Sequence, residues 1–330
     1  MRQAAKQDGG RTGIFALAEA MRPRHWVKNA FVAAPLLFAR RFDDPLAWGQ
    51  SMAAVAAFCL LSSGVYLIND VCDRRADRAH PVKSHRPVAS GRLSVASAVM
   101  AAVVLLAAGL GISVAVELTA DGASRPMAGY GLLVWTGGYL LMNLAYSLWL
   151  KDHAVVDVII VAMGFVFRAM AGAAAIAVPI SPWLVLCTFT LCLFIALCKR
   201  RSEISEFPGG RAEAVRTANR AYASADLEHM LTVSTALAIL TYSLYCVAPR
   251  TVAQVGSAHM IWTVPLVVYG LFRYGRLARR AGGGDPIELL VRDKVMWLVV
   301  AAYVVLAGLI LTYGSRPGLR DILDVRTPAG

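Results

Sequence analysis

The sequence predicts an all-α polytopic membrane protein of about nine transmembrane helices, because its apolar residues fall in blocks of roughly the ~20 that a bilayer requires. Apolar residues make up 58% of the 330, and short charged loops separate the blocks. Most of the 33 Lys and Arg fall on alternate connections. Cytoplasmic loops accumulate such residues, so the N-terminus is expected inside. The net charge of +12 then describes a basic cytoplasmic face that meets membrane lipids, not a nucleic-acid-binding chain.

The expected spans are 26–41, 50–69, 94–116, 128–150, 154–177, 182–199, 227–248, 258–275 and 289–313. The first follows basic residues but lacks a small-residue cleavage site, so it reads as a retained helix and not a signal peptide. The second ends directly in an acidic motif. The fifth is rich in Ala and Gly, which permits close helix packing, yet it carries Arg168 inside the apolar block. Between the fifth and sixth spans only residues 178–181 remain, whereas the loops 70–92 and 199–228 are long and charged. Function is therefore expected at the cytoplasmic face. The sequence divides into a tail over 1–20, one transmembrane domain over 21–315 and a second tail over 316–330.

The cysteines and histidines carry little. Cys59, Cys187, Cys192, Cys198 and Cys246 fall in or at the ends of apolar spans, where they pack as small hydrophobes. No CxxC pair and no zinc-ligand spacing occurs,.

Asp70, Asp73 and Asp77 follow the second span at i, i+3 and i+7, which places them on one helical face. Uncompensated acids held together call for a divalent cation, and Mg²⁺ bound by carboxylates usually carries substrate phosphates on its remaining positions. The alternative is a solvated acidic cap neutralised by Arg74, Arg75 and Arg78. Arg168 poses a similar choice. A cation within a span is expensive unless it faces a polar cavity or a partner, and Asp157, Gly164 and Arg168 share a face at i, i+7 and i+11. They form either an ion pair or a ligand site beside the small Gly164.

Asn69-Asp70-Val-Cys-Asp73-Arg-Arg-Ala-Asp77, followed by Lys83 and Arg86-Pro87-Val-Ala-Ser90-Gly91, resembles the first signature of the UbiA-type intramembrane prenyltransferase superfamily. The resemblance implies a UbiA-type helix bundle with its active site at the cytoplasmic face. Members that use a prenyl diphosphate often carry a second aspartate-rich motif in the region corresponding to Tyr146–Asp157. This chain instead offers Lys151, with Asp157 six residues on, which favours direct cationic contact with phosphate.

Further motifs lie at Arg22-Pro23-Arg24-His-Trp26-Val-Lys28-Asn29, at Lys199-Arg200 with Glu203, at Asp285-Pro286 and at Arg292-Asp293-Lys294. Together they resemble the branch of the superfamily that transfers 5-phosphoribose from 5-phosphoribosyl 1-diphosphate (PRPP) to a polyprenyl phosphate, decaprenyl phosphate being the expected lipid. That resemblance implies a Mg²⁺-dependent enzyme of the bacterial inner membrane, in the supply of lipid-linked arabinose for cell-wall arabinogalactan. It implies Asp70, Asp73 and Asp77 as catalytic metal ligands. Lys28, Asn69, Lys83, Arg86, Tyr146, Lys151, Asp157, Arg168, Lys199 and Arg200 are the implied substrate contacts.

Such a substrate pair is rich in phosphate, which these cations suit; arginine in particular recognises phosphate bidentately. Arg211, Arg216, Arg220, Arg276, Arg279 and Arg280 read as solvated loop residues. Trp26 and Trp149 read as interfacial anchors. Two other readings stand beside this one: a prenyltransferase acting on an aromatic acceptor, and a transporter. The polar residues gather at one membrane face, unlike the midplane sites of transporters. A homo-oligomer is left open.

Overall fold

The computed structural model describes residues 11–39, 41, 43–119, 131–205, 224–280 and 293–313. Every described element is helical, and the helices gather into two compact units.

The first unit begins with α1 (Arg11–Met21), a 3-10 helix (Pro23–Asn29) and α2 (Ala30–Phe38). Residues 11–20, expected in the tail, are thus helical. Ala16 and Ala20 are small enough to be buried among Leu67, Val88 and Leu93, which docks α1 on the helices that follow. The span expected over 26–41 is broken into the 3-10 helix and a nine-residue α-helix containing Pro35. Proline removes a backbone donor, and the result is shorter than a bilayer crossing.

α3 (Pro45–Cys72) starts on a well-formed cap. The Asp44 carboxylate accepts from the Leu46 and Ala47 amides, and Pro45 occupies the first turn, where a missing N–H costs nothing,. After α4 (Arg74–Ala79) and α5 (Pro87–Ser90) come α6 (Val95–Thr119), α7 (Leu132–Leu148) and α8 (Val156–Ala175). α3 packs chiefly on α6, and α8 on α7 and α2. Gly172 makes the last of these contacts possible: a Cβ there would lie 1.8 Å from the Val32 carbonyl oxygen. Val32, Phe58, Leu61, Leu132, Tyr139 and Ala171 form the core between these helices.

The second unit holds α9 (Pro182–Ser205), α10 (Ser224–Val247), α11 (Pro249–Val255), α12 (Val264–Arg280) and α13 (Lys294–Tyr313). α9 packs on α10, where the Thr190 and Thr241 hydroxyls meet at 3.0 Å. The Tyr242 hydroxyl joins Thr263 (2.6 Å) and Tyr303 (3.1 Å), so these three hydroxyls satisfy one another,.

Among the described residues six helices are long and apolar enough to cross a membrane, and the pair Pro249–Val255 and His259–Arg279, bent by 96°, would make a seventh. The fourth expected span appears as the 17-residue α7, with 128–130 outside the described residues. Arg211, Arg216, Arg220, Asp285, Pro286 and Arg292 also lie outside them. All six cysteines are free.

Candidate active site

The acidic motif straddles a helix break. Asp70 sits on the last turn of α3, Asp73 caps it, and Asp77 lies in α4. Asp73 keeps right-handed helical dihedrals (φ −84°, ψ 0°), so the break does not scatter the three acids. The backbone bonds Asp73 N to Asn69 O (2.9 Å) and Asp77 N to Asp73 O (2.8 Å) carry the turn through. Asp70 and Asp77 are both buried, at 1% and 4% exposure.

Arg86 joins two of the acids. Its Nη1 donates to Asp70 Oδ1 at 3.2 Å and to Asp77 Oδ2 at 2.8 Å. The sequence fixes this arm locally. A residue before proline is pushed to extended backbone, and Arg86 has ψ 144° ahead of Pro87, which starts α5. Gly91 closes that short helix at φ +85°, a conformation glycine adopts without a Cβ penalty,. Arg78 Nε donates to the Ala89 carbonyl (2.9 Å) and ties the loop back to α4. Lys83 belongs to the short 3-10 helix Lys83–His85, and its carbonyl accepts from the Arg86 amide at 3.0 Å.

Two further cations complete the cluster. Lys151 Nζ donates to Asp73 Oδ1, while Asn69 Nδ2 donates to Asp73 Oδ2 at 3.0 Å. Arg22 Nη2 donates to Asp70 Oδ1, with its guanidinium over the Tyr66 ring at 5.1 Å. The acids are therefore not uncompensated, as the spacing alone suggested. Their partners are Arg22, Arg86 and Lys151, and not the adjacent arginines of the alternative cap.

Arg22 was not among the expected site residues. Its motif was visible, but its pairing with a residue 48 positions away was not. Its backbone is left-handed, at φ 54°. Val155, shortly after Lys151, has φ 67°, an outlier for a β-branched residue,. Such conformations cost roughly 1–3 kcal/mol each and cluster at functional sites.

Arg168 does not join this cluster. Its Nε donates to Asn29 Oδ1 (2.9 Å), its Nη1 to the Gly164 carbonyl (2.8 Å) and its Nη2 to Tyr139 Oη (2.9 Å). The rings of Tyr139 and Phe165 flank the guanidinium at 4.8 and 5.2 Å, which offsets part of the burial cost. These hydrogen-bond partners are neutral, so the Asp157–Arg168 ion pair is not what holds it. Eleven residues of helix rise about 16 Å, beyond an arginine's reach; a shared face is not a contact.

Asn29 belongs to the Arg22–Asn29 motif, but its pairing with Arg168 139 residues on is not legible in the sequence, and Tyr139 lies among apolar residues that hide it. Asn29 also donates to Ser62 Oγ (3.4 Å), so the network ties the 3-10 helix Pro23–Asn29 to α3 and α8. Asp157 is fully buried in the first turn of α8. Lys28 and Tyr146 are half-buried, on the 3-10 helix and on α7.

In the second unit, Arg200 is buried and donates to Glu203 at 2.6 Å, and Lys199 lies 4.0 Å from the same carboxylate. Arg201 pairs with Glu228, and Arg273 with Asp293 through two bonds of 2.8 Å. The hydrogen bond from Arg273 holds the Asp293 carboxyl below the usual carboxylate range.

Within the acidic motif two buried oxygens have no hydrogen-bond partner, Asp70 Oδ2 and Asn69 Oδ1. Both are hard donors of the type that Mg²⁺ prefers. The expected three-carboxylate cage is nevertheless not assembled: among the described residues no group of three or more His, Cys, Asp or Glu is gathered to hold a metal. Arg86 stands between Asp70 and Asp77 instead. The donor chemistry fits a hard cation once the arginines release Asp70 Oδ1 and Asp77 Oδ2. With three acids facing three cations, the cluster is formally neutral, so an anionic ligand would have to bring a cation with it.

The chain matches the UbiA prenyltransferase family over residues 30–300. It is 32% identical to the decaprenyl-phosphate phosphoribosyltransferase of Mycobacterium tuberculosis (strain ATCC 25618 / H37Rv) over 91% of this chain and 96% of that one. The enzyme of the same name from Corynebacterium glutamicum is also 32% identical, covering 87% of this chain and 84% of the relative. Among solved structures, a UbiA homolog from Archaeoglobus fulgidus bound to GPP and Mg²⁺ superposes with a TM-score of 0.62 at 16% identity, over 90% of this chain and 99% of that one. A UbiA homolog from Aeropyrum pernix K1 gives 0.61 at 17% identity, over 87% and 99%.

Proposed function

Because the chain belongs to the UbiA prenyltransferase family, and is a membrane transferase on that ground, we propose that it moves 5-phosphoribose from PRPP to a polyprenyl phosphate, decaprenyl phosphate by likeness to its relatives. The observation that carries this reading is Lys151 on Asp73. Where a prenyl-diphosphate enzyme would place further acids, this chain brings an ammonium group to its single aspartate cluster. The guanidinium and ammonium groups gathered at the acids, once a divalent cation takes their place on the carboxylates, suit a donor with phosphate at both ends.

Asp70, Asp73 and Asp77, helped by Asn69, would hold Mg²⁺, which when bound supplies Lewis-acid neutralisation of the diphosphate. Arg22, Arg86 and Lys151 then turn from carboxylate to phosphate oxygens. Lys28, Lys83, Tyr146 and Asp157 are further substrate contacts in this proposal, and Lys199 and Arg200 of the second unit are kept as phosphate contacts on their sequence motif alone. Arg168 supports it from behind by holding Asn29 and the segment that carries Arg22 and Lys28.

The lipid phosphate oxygen forms a bond to ribose C1 as the bond from C1 to the diphosphate oxygen breaks, and the electron pair leaves with diphosphate. A phosphate monoester is already ionised near neutral pH, its second pKa being about 6, so no protein base is needed. One displacement inverts the α anomer to a β-linked product. The reaction would take place at the cytoplasmic face of a bacterial inner membrane, in one catalytic domain over 21–315.

Purified protein incubated with Mg²⁺, PRPP and polyprenyl phosphate should give β-linked polyprenyl-phosphoryl 5-phosphoribose, identified by mass and by the anomeric coupling in the NMR spectrum. An α-linked product would contradict direct displacement.

A further inference from the structure

Asp70 Oδ1 accepts from two guanidinium groups, Arg22 Nη2 and Arg86 Nη1, while its Oδ2 is buried with no hydrogen-bond partner. One oxygen is thus closed by cations and the other waits for one. A divalent ion settling on this carboxylate would meet two positive groups at hydrogen-bond distance, and like charges that close repel unless an anion stands between them. A diphosphate is such an anion, since its oxygens can face the metal on one side and guanidinium groups on the other.

Arg22 is the more specialised of the two arginines. Its backbone is left-handed at φ 54°, a conformation a non-glycine residue keeps only where its surroundings over-determine it. Those surroundings are visible. Its amide donates to the Glu19 carbonyl (3.1 Å), and the Met21 carbonyl accepts from Ser63 Oγ (3.1 Å), to which Trp26 Nε1 also donates (3.1 Å). Tyr66 supports the guanidinium from below. The geometry holds the head of Arg22 on Asp70, at the cost of backbone strain.

Resting on the diphosphate-donor reading above, we propose that Arg22 makes divalent-cation binding at Asp70 contingent on a diphosphate. Without diphosphate, Arg22 occupies the carboxylate and the metal is held weakly. With diphosphate present, Arg22 moves to a phosphate oxygen, Asp70 is freed, and metal and diphosphate bind together. The coupling is reciprocal, as any linkage between two ligands must be. Arg22 is therefore a positioning residue in the empty protein and a phosphate contact in the loaded one.

The test is equilibrium binding of Mn²⁺, followed by its electron paramagnetic resonance signal, to the full-length protein in detergent, with and without inorganic diphosphate. For the unaltered protein, diphosphate should tighten Mn²⁺ binding by roughly 10²-fold, at the upper end of ordinary coupling. In Arg22→Gln, Mn²⁺ alone should bind about tenfold tighter than to the unaltered protein, with the gain from diphosphate reduced by about the same factor. Arg22→Lys should keep most of the coupling. A purely structural role would weaken binding in both conditions and would overturn the proposal. So would unaltered protein that binds Mn²⁺ equally well with and without diphosphate, a result that requires no variant to fold. Absence of Mn²⁺ binding in every condition would instead sink the metal-dependent reading itself.

Discussion

Arg22, Arg86 and Lys151 meet carboxylates, whereas the hydrogen-bond partners of Arg168 are neutral oxygens and the faces of two rings. The two groups lie in the same unit and teach different things about buried charge. A cation on a carboxylate can exchange that partner for a phosphate oxygen at little net cost, because each side of the exchange finds a new opposite charge. A cation whose three donors are fixed by protein oxygens has nothing to exchange. The first group is suited to binding and the second to holding three elements in register.

The largest effect expected on either side is that of Asp70→Asn. The change keeps the shape but removes a metal-binding charge, and transfer should fall by about 10³-fold or more, on the scale of losing a preorganised electrostatic group. The melting temperature should hold within a few degrees. Near-normal turnover would remove the carboxylate from the site.

Arg168→Met should do the reverse. It strands Asn29 Oδ1 and Tyr139 Oη in the core, and unsatisfied buried groups cost about 1–3 kcal/mol each. Thermal unfolding in detergent should drop by roughly 5–10 °C, with less change in the Michaelis constant for PRPP than in stability. A variant that melts normally but has lost PRPP affinity would move Arg168 into the first group.

Lys151→Ala should raise the Michaelis constant for PRPP about tenfold, since losing a charge-assisted bond costs on the order of 1.5–3 kcal/mol, and should leave that for the lipid nearly unchanged. Equal changes for both substrates would place Lys151 elsewhere.

The smallest effect belongs to a third kind of pair. Arg92 Nη1 and Nη2 donate to Glu19 at 2.7 and 2.9 Å, and both side chains are largely exposed. That hydrogen bond lowers the Glu19 pKa against the opposing effect of its slight burial. A lowered folded value means the pair stabilises above the ordinary carboxylate pKa of ~4.3 and ceases to do so as pH falls through the lowered value. Screening limits the gain to roughly 0.5 kcal/mol, so Glu19→Gln should melt within about 2 °C of the unaltered protein at pH 7. A larger loss would show that exposed pairs matter here as much as buried ones.

What the sequence made legible was local. Asn69 to Asp77 and Arg86 to Gly91 owe their backbone course to neighbours a few residues apart, so spacing and the proline rule place that course well,. Arg22 on Asp70, Lys151 on Asp73 and Asn29 on Arg168 are pairings across 48, 78 and 139 residues, and no periodicity reports those. The same limit explains the first span. Hydropathy sees the apolar run over 26–41 but not that Pro23 to Asn29 winds as a 3-10 helix held by Ser63 and Arg168. α1 escaped notice because its buried contacts are alanines, which leave a weak apolar stripe.

The donor separates the two transferase readings. Purified protein with Mg²⁺ and polyprenyl phosphate would be given carbon-labelled PRPP and a tritiated prenyl diphosphate together, with an aromatic acceptor present, and each label would be counted in the product lipids. Carbon label is expected in the polyprenyl phosphate fraction, lost in Asp70→Asn, with no tritium on the aromatic acceptor. Tritium on the acceptor with no carbon label in the lipid would contradict the PRPP reading.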